Sequence, residues 1–245
     1  VENFPGFPEG IMGPEVMEKF RAQAARFGTE IHDTVVERVD FSQRPFRVWT
    51  EGGQEWAARA VIVATGASAM LLGLESEQKY MGFGVSACAT CDGFFFKEQE
   101  VCVVGGGDTA CEEALYLAGL CSKVTLIHRR QEFRASKIMS DRVRQHPKIE
   151  LLLDSAVTEV LDVSKKKVTG VKVKNLVTGD EQLKACTGLF IAIGHEPNTQ
   201  LFKGVLDTDE LGYLKTKPGT TQTNLEGVWA CGDVQDHVYR QAVTA

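Results

Sequence analysis

Two cysteines three residues apart, Cys88 and Cys91, stand in the run Cys88-Ala89-Thr90-Cys91-Asp92-Gly93. On a helical turn this spacing faces the sulfurs toward one another, so they can close a small disulfide ring. A thiolate there is stabilised by the helix terminus and by its partner, which tunes exchange chemistry. Asp92 adjoins the second cysteine and could carry a proton to or from the leaving thiolate. A structural zinc would need two further ligands at close spacing. The chain has no second Cys-x-x-Cys, so no metal is expected. A pair of inert buried thiols is the other alternative, but Asp92 and Gly93 are odd company for a pure core. Cys102, Cys111, Cys121, Cys186 and Cys231 stand singly in strand or helix patterns and read as small buried hydrophobes.

Downstream lies Gly105-Gly106-Gly107-Asp108-Thr109-Ala110, which follows an apolar strand and opens a helix. Gly105 permits the tight turn and Gly107 lets backbone approach a pyrophosphate. Ala110 packs helix on strand, and the helix N-terminus offers N–H groups to phosphates. A bland Gly-rich loop is the alternative, weakened by the strand-turn-helix context. The next strand ends at His128-Arg129-Arg130, with Arg134 beyond. An NAD site places Asp or Glu there to accept from the ribose 2′-OH. Guanidinium groups instead clasp the 2′-phosphate of NADPH. One such contact gains about 1–4 kcal/mol at about 4 Å before desolvation. The competing reading is a surface basic cluster paired with local acids. The phosphate loop predicts this position, so the cofactor expected is NADPH.

These residues need elements to hold them. Residues 1–13 read as a loop and 14–27 as a helix, with Pro14 in its first turn. Alternating stretches at 35–41, 46–50 and 55–59 predict a small antiparallel meander. Residues 60–64 form a continuous apolar run ended by Thr65-Gly66, the pattern of a strand buried on both faces. Residues 67–99 form a crossover carrying the dithiol. A second unit then predicts a strand at 101–104, a helix at 108–120 and a strand at 123–127. A helix at 132–146 and a strand at 149–153 follow, which implies a doubly wound parallel sheet. Residues 157–163 and 168–177 read as a hairpin with Lys165-Lys166-Lys167 at a solvated tip. Two further apolar runs end in Gly194 and in Gly232-Asp233.

The bulk numbers bound the function. At 245 residues, 43% hydrophobic and 24% charged, the chain holds one or two ordinary globular domains. A net charge of −6 argues against a general nucleic-acid binder, and no apolar run approaches a membrane span. Seven cysteines, an odd number, do not form a disulfide scaffold and suit a reducing, cytosol-like compartment.

With these words in view, the chain closely resembles the low-molecular-weight NADPH-dependent thioredoxin reductases of bacteria and plants. The matching segments are Val1-Glu2-Asn3-Phe4-Pro5-Gly6, Ala64-Thr65-Gly66, the Cys88–Gly93 run and the Gly-rich loop. His128-Arg129-Arg130, Gly194-His195, Gly232-Asp233 and Tyr239-Arg240-Gln241-Ala242 complete them. Arg134-Ala135-Ser136-Lys137 and Asp233-Val234-Gln235-Asp236 look most like plant and algal members.

The resemblance implies an α/β fold of two Rossmann-like domains, three-layer ββα. An FAD domain would be built from residues 1–67 and 197–245, with an NADPH domain at 68–196 carrying the redox pair. It implies that Asp233 binds the flavin ribitol, that Arg240, Gln241 and Ala242 line the isoalloxazine, and that Asn3 and Val36 contact FAD. Thr65, Gly66 and Gly232 join this FAD set. Cys91 would lie nearest the flavin, Cys88 would attack the thioredoxin disulfide, and Asp92 would be the acid. Thr109, His128, Arg129, Arg130 and Arg134 would hold NADPH beside Asp108, with Ile193 and Tyr213 as lesser contacts. Thioredoxin is the implied partner, a homodimer the implied assembly, and rotation of one domain the device that lets one cysteine pair serve flavin and protein in turn. The cytoplasm is the implied place, with chloroplast stroma or mitochondrion as alternatives. The family opens with a strand, a second Gly-rich loop and a helix that clasp FAD, and it closes with a helix. Neither flanks the present residues, so the FAD domain is expected to be incomplete. The competing functions are a non-catalytic NADP-binding remnant and a reductase serving a fused thioredoxin or peroxiredoxin module.

Overall fold

The computed structural model describes residues 4–162, 167–239 and 241–244. They fall into two compact units, Ala69–His195 and the pair of segments Val1–Ser68 and Glu196–Ala245. In chain order the elements are α1 (Gly13–Arg26), β1 (Val36–Asp40), β2 (Phe46–Thr50), β3 (Glu55–Ala58), β4 (Val61–Val63) and β5 (Ala67–Ala69). The central unit continues with α2 (Glu75–Tyr80), β6 (Val85–Ser86), α3 (Ala89–Asp92), β7 (Glu100–Val104), α4 (Asp108–Leu120) and β8 (Lys123–Ile127). Then come α5 (Lys137–Gln145), β9 (Ile149–Leu152), β10 (Ser155–Leu161), β11 (Gly170–Asn175), β12 (Glu181–Ala185) and β13 (Gly188–Ile191). β14 (His195–Pro197) leads away from it and β15 (Val228–Ala230) follows.

In the central unit a five-stranded parallel sheet runs in the order β6-β13-β7-β8-β9. The inner strands β13 and β7 are apolar along nearly their whole length because both faces are covered. On β7, Val101 and Val103 face one core with Ala110, Ala114 and Leu117 of α4 and Val143 of α5. Cys102 and Val104 face the opposite core, with Val160, Val171 and Val173 of the antiparallel meander β10-β11-β12. Period-two alternation thus divides one strand between two layers. The small residues of α4 let it lie close on the sheet, and burying Leu117 alone is worth about 1.5–3 kcal/mol. A Glu150 carboxylate held by Lys123 and by Lys184 ties β8, β9 and β12 at one edge.

The other unit holds the antiparallel meander β1-β2-β3 and the parallel pair β4-β15. Phe41, Phe46, Val63, Phe202, Leu206, Val228 and Ala230 form its core. Among the described residues no helix is long and apolar enough to cross a membrane.

Two local expectations in the central unit change. The helix read at 132–146 begins only at Lys137, because the backbone N–H groups of Arg134 and Ser136 bond to the preceding Gly-rich loop instead of to a helix ladder. The stretch read as the second hairpin arm ends at Asn175, and a third strand, Glu181–Ala185, completes a meander. Its alternation is masked because three of five positions are charged or amide. Of the lysine tip, Lys165 and Lys166 lie outside the described residues, and Lys167 is exposed.

Candidate dinucleotide and dithiol sites

Cys88 and Cys91 form a disulfide with Cα atoms 5.3 Å apart. Cys88 is the N-cap of the single-turn helix α3, in extended geometry, and Cys91 lies within the turn. The Ser86 hydroxyl accepts the Cys88 N–H at 3.1 Å, and the Asp92 N–H donates to the Cys88 carbonyl at 3.2 Å. The Thr90 hydroxyl lies 3.5 Å from Cys88 Sγ. Cys91 is exposed, while Cys88 and Asp92 are half-buried. The turn is seated on α4. A Cβ at Gly93 would sit 2.9 Å from Leu117, and Glu113 accepts the Ala89 N–H at 3.4 Å.

The same helix α4 begins at the Gly-rich loop. Gly105 is required by close approach, since a Cβ there would lie 2.5 Å from Ala110 and closer still to the Ala192 carbonyl. Gly107 is different. A Cβ there would meet nothing within 4 Å, so the fold itself tolerates a side chain and leaves open space in front of the helix. Gly107 caps α4 in extended conformation, which leaves first-turn N–H groups, those of Thr109 and Ala110 among them, at a helix N-terminus of positive potential.

Arg129, Arg130 and Arg134 are all exposed beside this loop. Two bonds hold their segment on it: the Arg134 N–H donates to the Gly106 carbonyl at 2.7 Å, and the Ser136 N–H to Asp108 Oδ1 at 2.9 Å. Asp108 is therefore a clamp between α4 and the arginine loop, and those Ser136 bonds hold its carboxyl below the usual aspartate range. Sequence reasoning put Asp108 and His128 in the ligand set and missed both structural duties. His128 is buried at 6% exposure with its ring against Gly106. Burial, with Arg129, Arg130 and Arg134 nearby, pushes its pKa down. Ile193 is half-buried two residues beyond β13, next to the Ala192 carbonyl that crowds Gly105.

In the other unit, the ends of β4 and β15 open a cleft of about 340 Å³ lined by Ala64, Gly66, Cys231, Gly232, Asp233, Gln241 and Ala242. Small residues around one carboxylate and one amide suit a polyhydroxy chain, which both side chains could hydrogen-bond. Thr65 points elsewhere, donating to the Asn198 carbonyl at 2.7 Å. Val36 opens β1 in the meander, outside this lining. Tyr213 is buried in this unit against His237, so it does not share a unit with the Gly-rich loop. Asn3 and Arg240 lie outside the described residues.

The remaining cysteines depart from the reading in two places. Cys102 and Cys186 are buried but not single. The neighbouring Cys186 thiol, together with burial, pushes the Cys102 thiol well up. Cys102 lies on β7 and Cys186 in the connection between β12 and β13, a closeness invisible along the chain. Cys231 is only half-buried, because it follows the end of β15 where the cleft opens. Burial, joined at Cys111 by the nearby Asp108 and Glu112 carboxylates, pushes Cys111 and Cys121 up to about 11.

Comparison with known proteins points one way. The family model described as pyridine nucleotide-disulphide oxidoreductase matches residues 3–245. A thioredoxin reductase of Rickettsia conorii is 56% identical over all of this chain and 79% of its own length. One from Streptomyces coelicolor is 53% identical over all of this chain and 76% of its own. Among solved structures, thioredoxin reductase from Giardia duodenalis superposes with a TM-score of 0.89 at 44% identity, covering the whole chain and 80% of that protein. That from Streptococcus pyogenes gives 0.90 at 38% identity, covering the whole chain and 78% of that protein.

Proposed function

The chain belongs to the thioredoxin reductase branch of the pyridine nucleotide-disulphide oxidoreductase family, and from that premise we propose how its residues reduce a thioredoxin disulfide with NADPH. In balance, NADPH and a proton become NADP⁺, and the disulfide of thioredoxin takes two electrons and two protons. FAD, when bound, would supply the two-electron chemistry that links the nicotinamide to the Cys88–Cys91 disulfide.

The residues then do the following. Gly105, Gly107 and the α4 N-terminus receive the NADPH pyrophosphate, and Arg129, Arg130 and Arg134 clasp the 2′-phosphate. Asp233, with Gly66, Gly232, Gln241 and Ala242, would hold the flavin, and Asn3, Val36, Thr65 and Arg240 would belong to the same set. Cys91 is the flavin-side thiol. Cys88, once reduced, attacks one sulfur of the thioredoxin disulfide and expels the other as a thiolate, which takes a proton from Asp92. Cys91 then attacks Cys88, re-forming the ring and releasing the second thioredoxin thiolate.

The observation that carries this reading is the seating of the disulfide turn on α4, the helix whose N-terminus is the phosphate loop. The finer assignments belong to the same proposal: an NADPH domain at 68–196, an FAD domain at 1–67 and 197–245, a cytoplasmic homodimer, and kinship with plant and algal members. The test is oxidation of NADPH by the chain with FAD and thioredoxin supplied, alongside flavin absorbance of the purified protein. Thioredoxin-dependent turnover supports the reading. A colourless chain that binds NADPH without turnover would leave a non-catalytic NADP-binding module.

A further inference from the structure

His128 does not sit as its neighbours do. The three arginines are exposed, whereas the imidazole is buried under the Gly-rich loop. A Cβ at Gly106 would fall 2.6 Å from His128 Nε2 and nearer still to Cε1 and Nδ1, so the ring occupies the space a side chain at 106 would need. The Phe133 ring stacks on the imidazole, with centroids 5.4 Å apart and planes 29° from parallel. Nε2 lies 3.1 Å from the Glu132 carbonyl. A carbonyl only accepts, so Nε2 carries the hydrogen. Of the charged groups around it, Arg129, Arg130 and Arg134 all oppose protonation, as burial does.

We propose that His128 is a positioning residue and not a phosphate ligand: its neutral ring is the floor that shapes the Gly-rich loop, so it governs the binding of any nicotinamide dinucleotide, while the arginines alone read the 2′-phosphate. The inference rests on the NADPH reading of this loop. It assigns Gly106 a reason distinct from its neighbours: Gly105 makes room for Ala192 and Ala110, Gly106 for His128, and Gly107 for ligand.

The experiment titrates the chain with NADPH and with NADH, following nucleotide fluorescence. His128→Ala should weaken both by a similar factor, on the order of tenfold, and leave their ratio within about twofold of the starting protein. Arg129→Ala should weaken NADPH only. Gly106→Ala should weaken both, and the double change Gly106→Ala with His128→Ala should bind better than Gly106→Ala alone, because the ring that excludes the methyl is gone. His128→Phe, which keeps a ring of similar breadth, should hold NADH within about threefold and serves if His128→Ala does not fold. NADH affinity should stay flat between about pH 8 and pH 6.5, where a histidine ligating the pyrophosphate that both nucleotides share would tighten it as pH falls. Selective loss of NADPH in His128→Ala, no rescue in the double variant, or tightening of NADH at lower pH each overturns the inference and leaves the NADPH reading standing. A starting protein with no preference for NADPH overturns both.

Discussion

Cys88 and Cys91 differ from the buried thiols Cys102, Cys111, Cys121 and Cys186 in exposure as much as in spacing. Cys111 and Cys121, pushed by burial to about 11, hold a thiolate fraction on the order of 10⁻³ at pH 8. After reduction of the chain, iodoacetamide at that pH should modify Cys88 and Cys91 first and leave Cys111 and Cys121 intact, as peptide mass spectrometry would read. Early labelling of Cys111 would contradict their burial. In the FAD-loaded protein, Cys88→Ser and Cys91→Ser should each lower NADPH-driven disulfide reduction by about a hundredfold or more, whereas Cys186→Ser should change it little. Equal damage at Cys186 would mean that the wrong pair had been identified. For the nucleotide, replacing Arg129 and Arg130 together by Ala should cost roughly 1–3 kcal/mol of NADPH-over-NADH discrimination in kcat/KM. Equal losses for both nucleotides would make these arginines structural.

At the scale of elements, the arginine loop is held by the phosphate loop and not by its own helix. The Asp108 clamp on Ser136 is made by an ionised carboxylate whose pKa is lowered by that bond. A depressed folded pKa means the clamp is fully present above the ordinary aspartate pKa, and is lost as pH falls through the depressed value. Asp108→Ala should therefore weaken NADPH more than NADH at neutral pH, since what loosens is the segment bearing Arg134. In the unaltered chain this preference should fade only on strong acidification. A pH titration of both affinities checks it, and a preference unchanged in Asp108→Ala would show that Arg134 and the Gly106 carbonyl hold the loop unaided.

Across the whole molecule the two units have separate cores. Phe190 on β13 is fully buried among residues of the parallel sheet and α4, in edge-on contact with Phe96. Phe190→Ala should cost about 3–5 kcal/mol, large against the marginal stability of a domain. Chemical denaturation followed by nucleotide binding should show the central unit losing NADPH at lower denaturant. Tryptophan fluorescence, whose reporters Trp49, Trp56 and Trp229 all lie in the other unit, should shift less. Coincident shifts of both signals would show that the two cores unfold as one.

The sequence by itself determined the chemistry and the layer type. Cysteine spacing, strand-loop-helix order and the basic end of β8 are all local features, and local features are written along the chain. It also determined α4 to the residue, because its small apolar stripe has one period and clear ends. What it could not determine is which backbone groups would be claimed by distant partners. Residues 132–136 have helical periodicity, yet the N–H groups of Arg134 and Ser136 go to Gly106 and Asp108, so the helix starts late. Cys102 on β7 comes beside Cys186, two residues before β13, because β7 and β13, far apart in sequence, are neighbours in the sheet. His128 reads as one of four cationic residues, and only packing turns its ring under Gly106 and separates it from the arginines. Burial and close approach are properties of the folded sheet, and they redistributed roles among residues the sequence had already brought to notice.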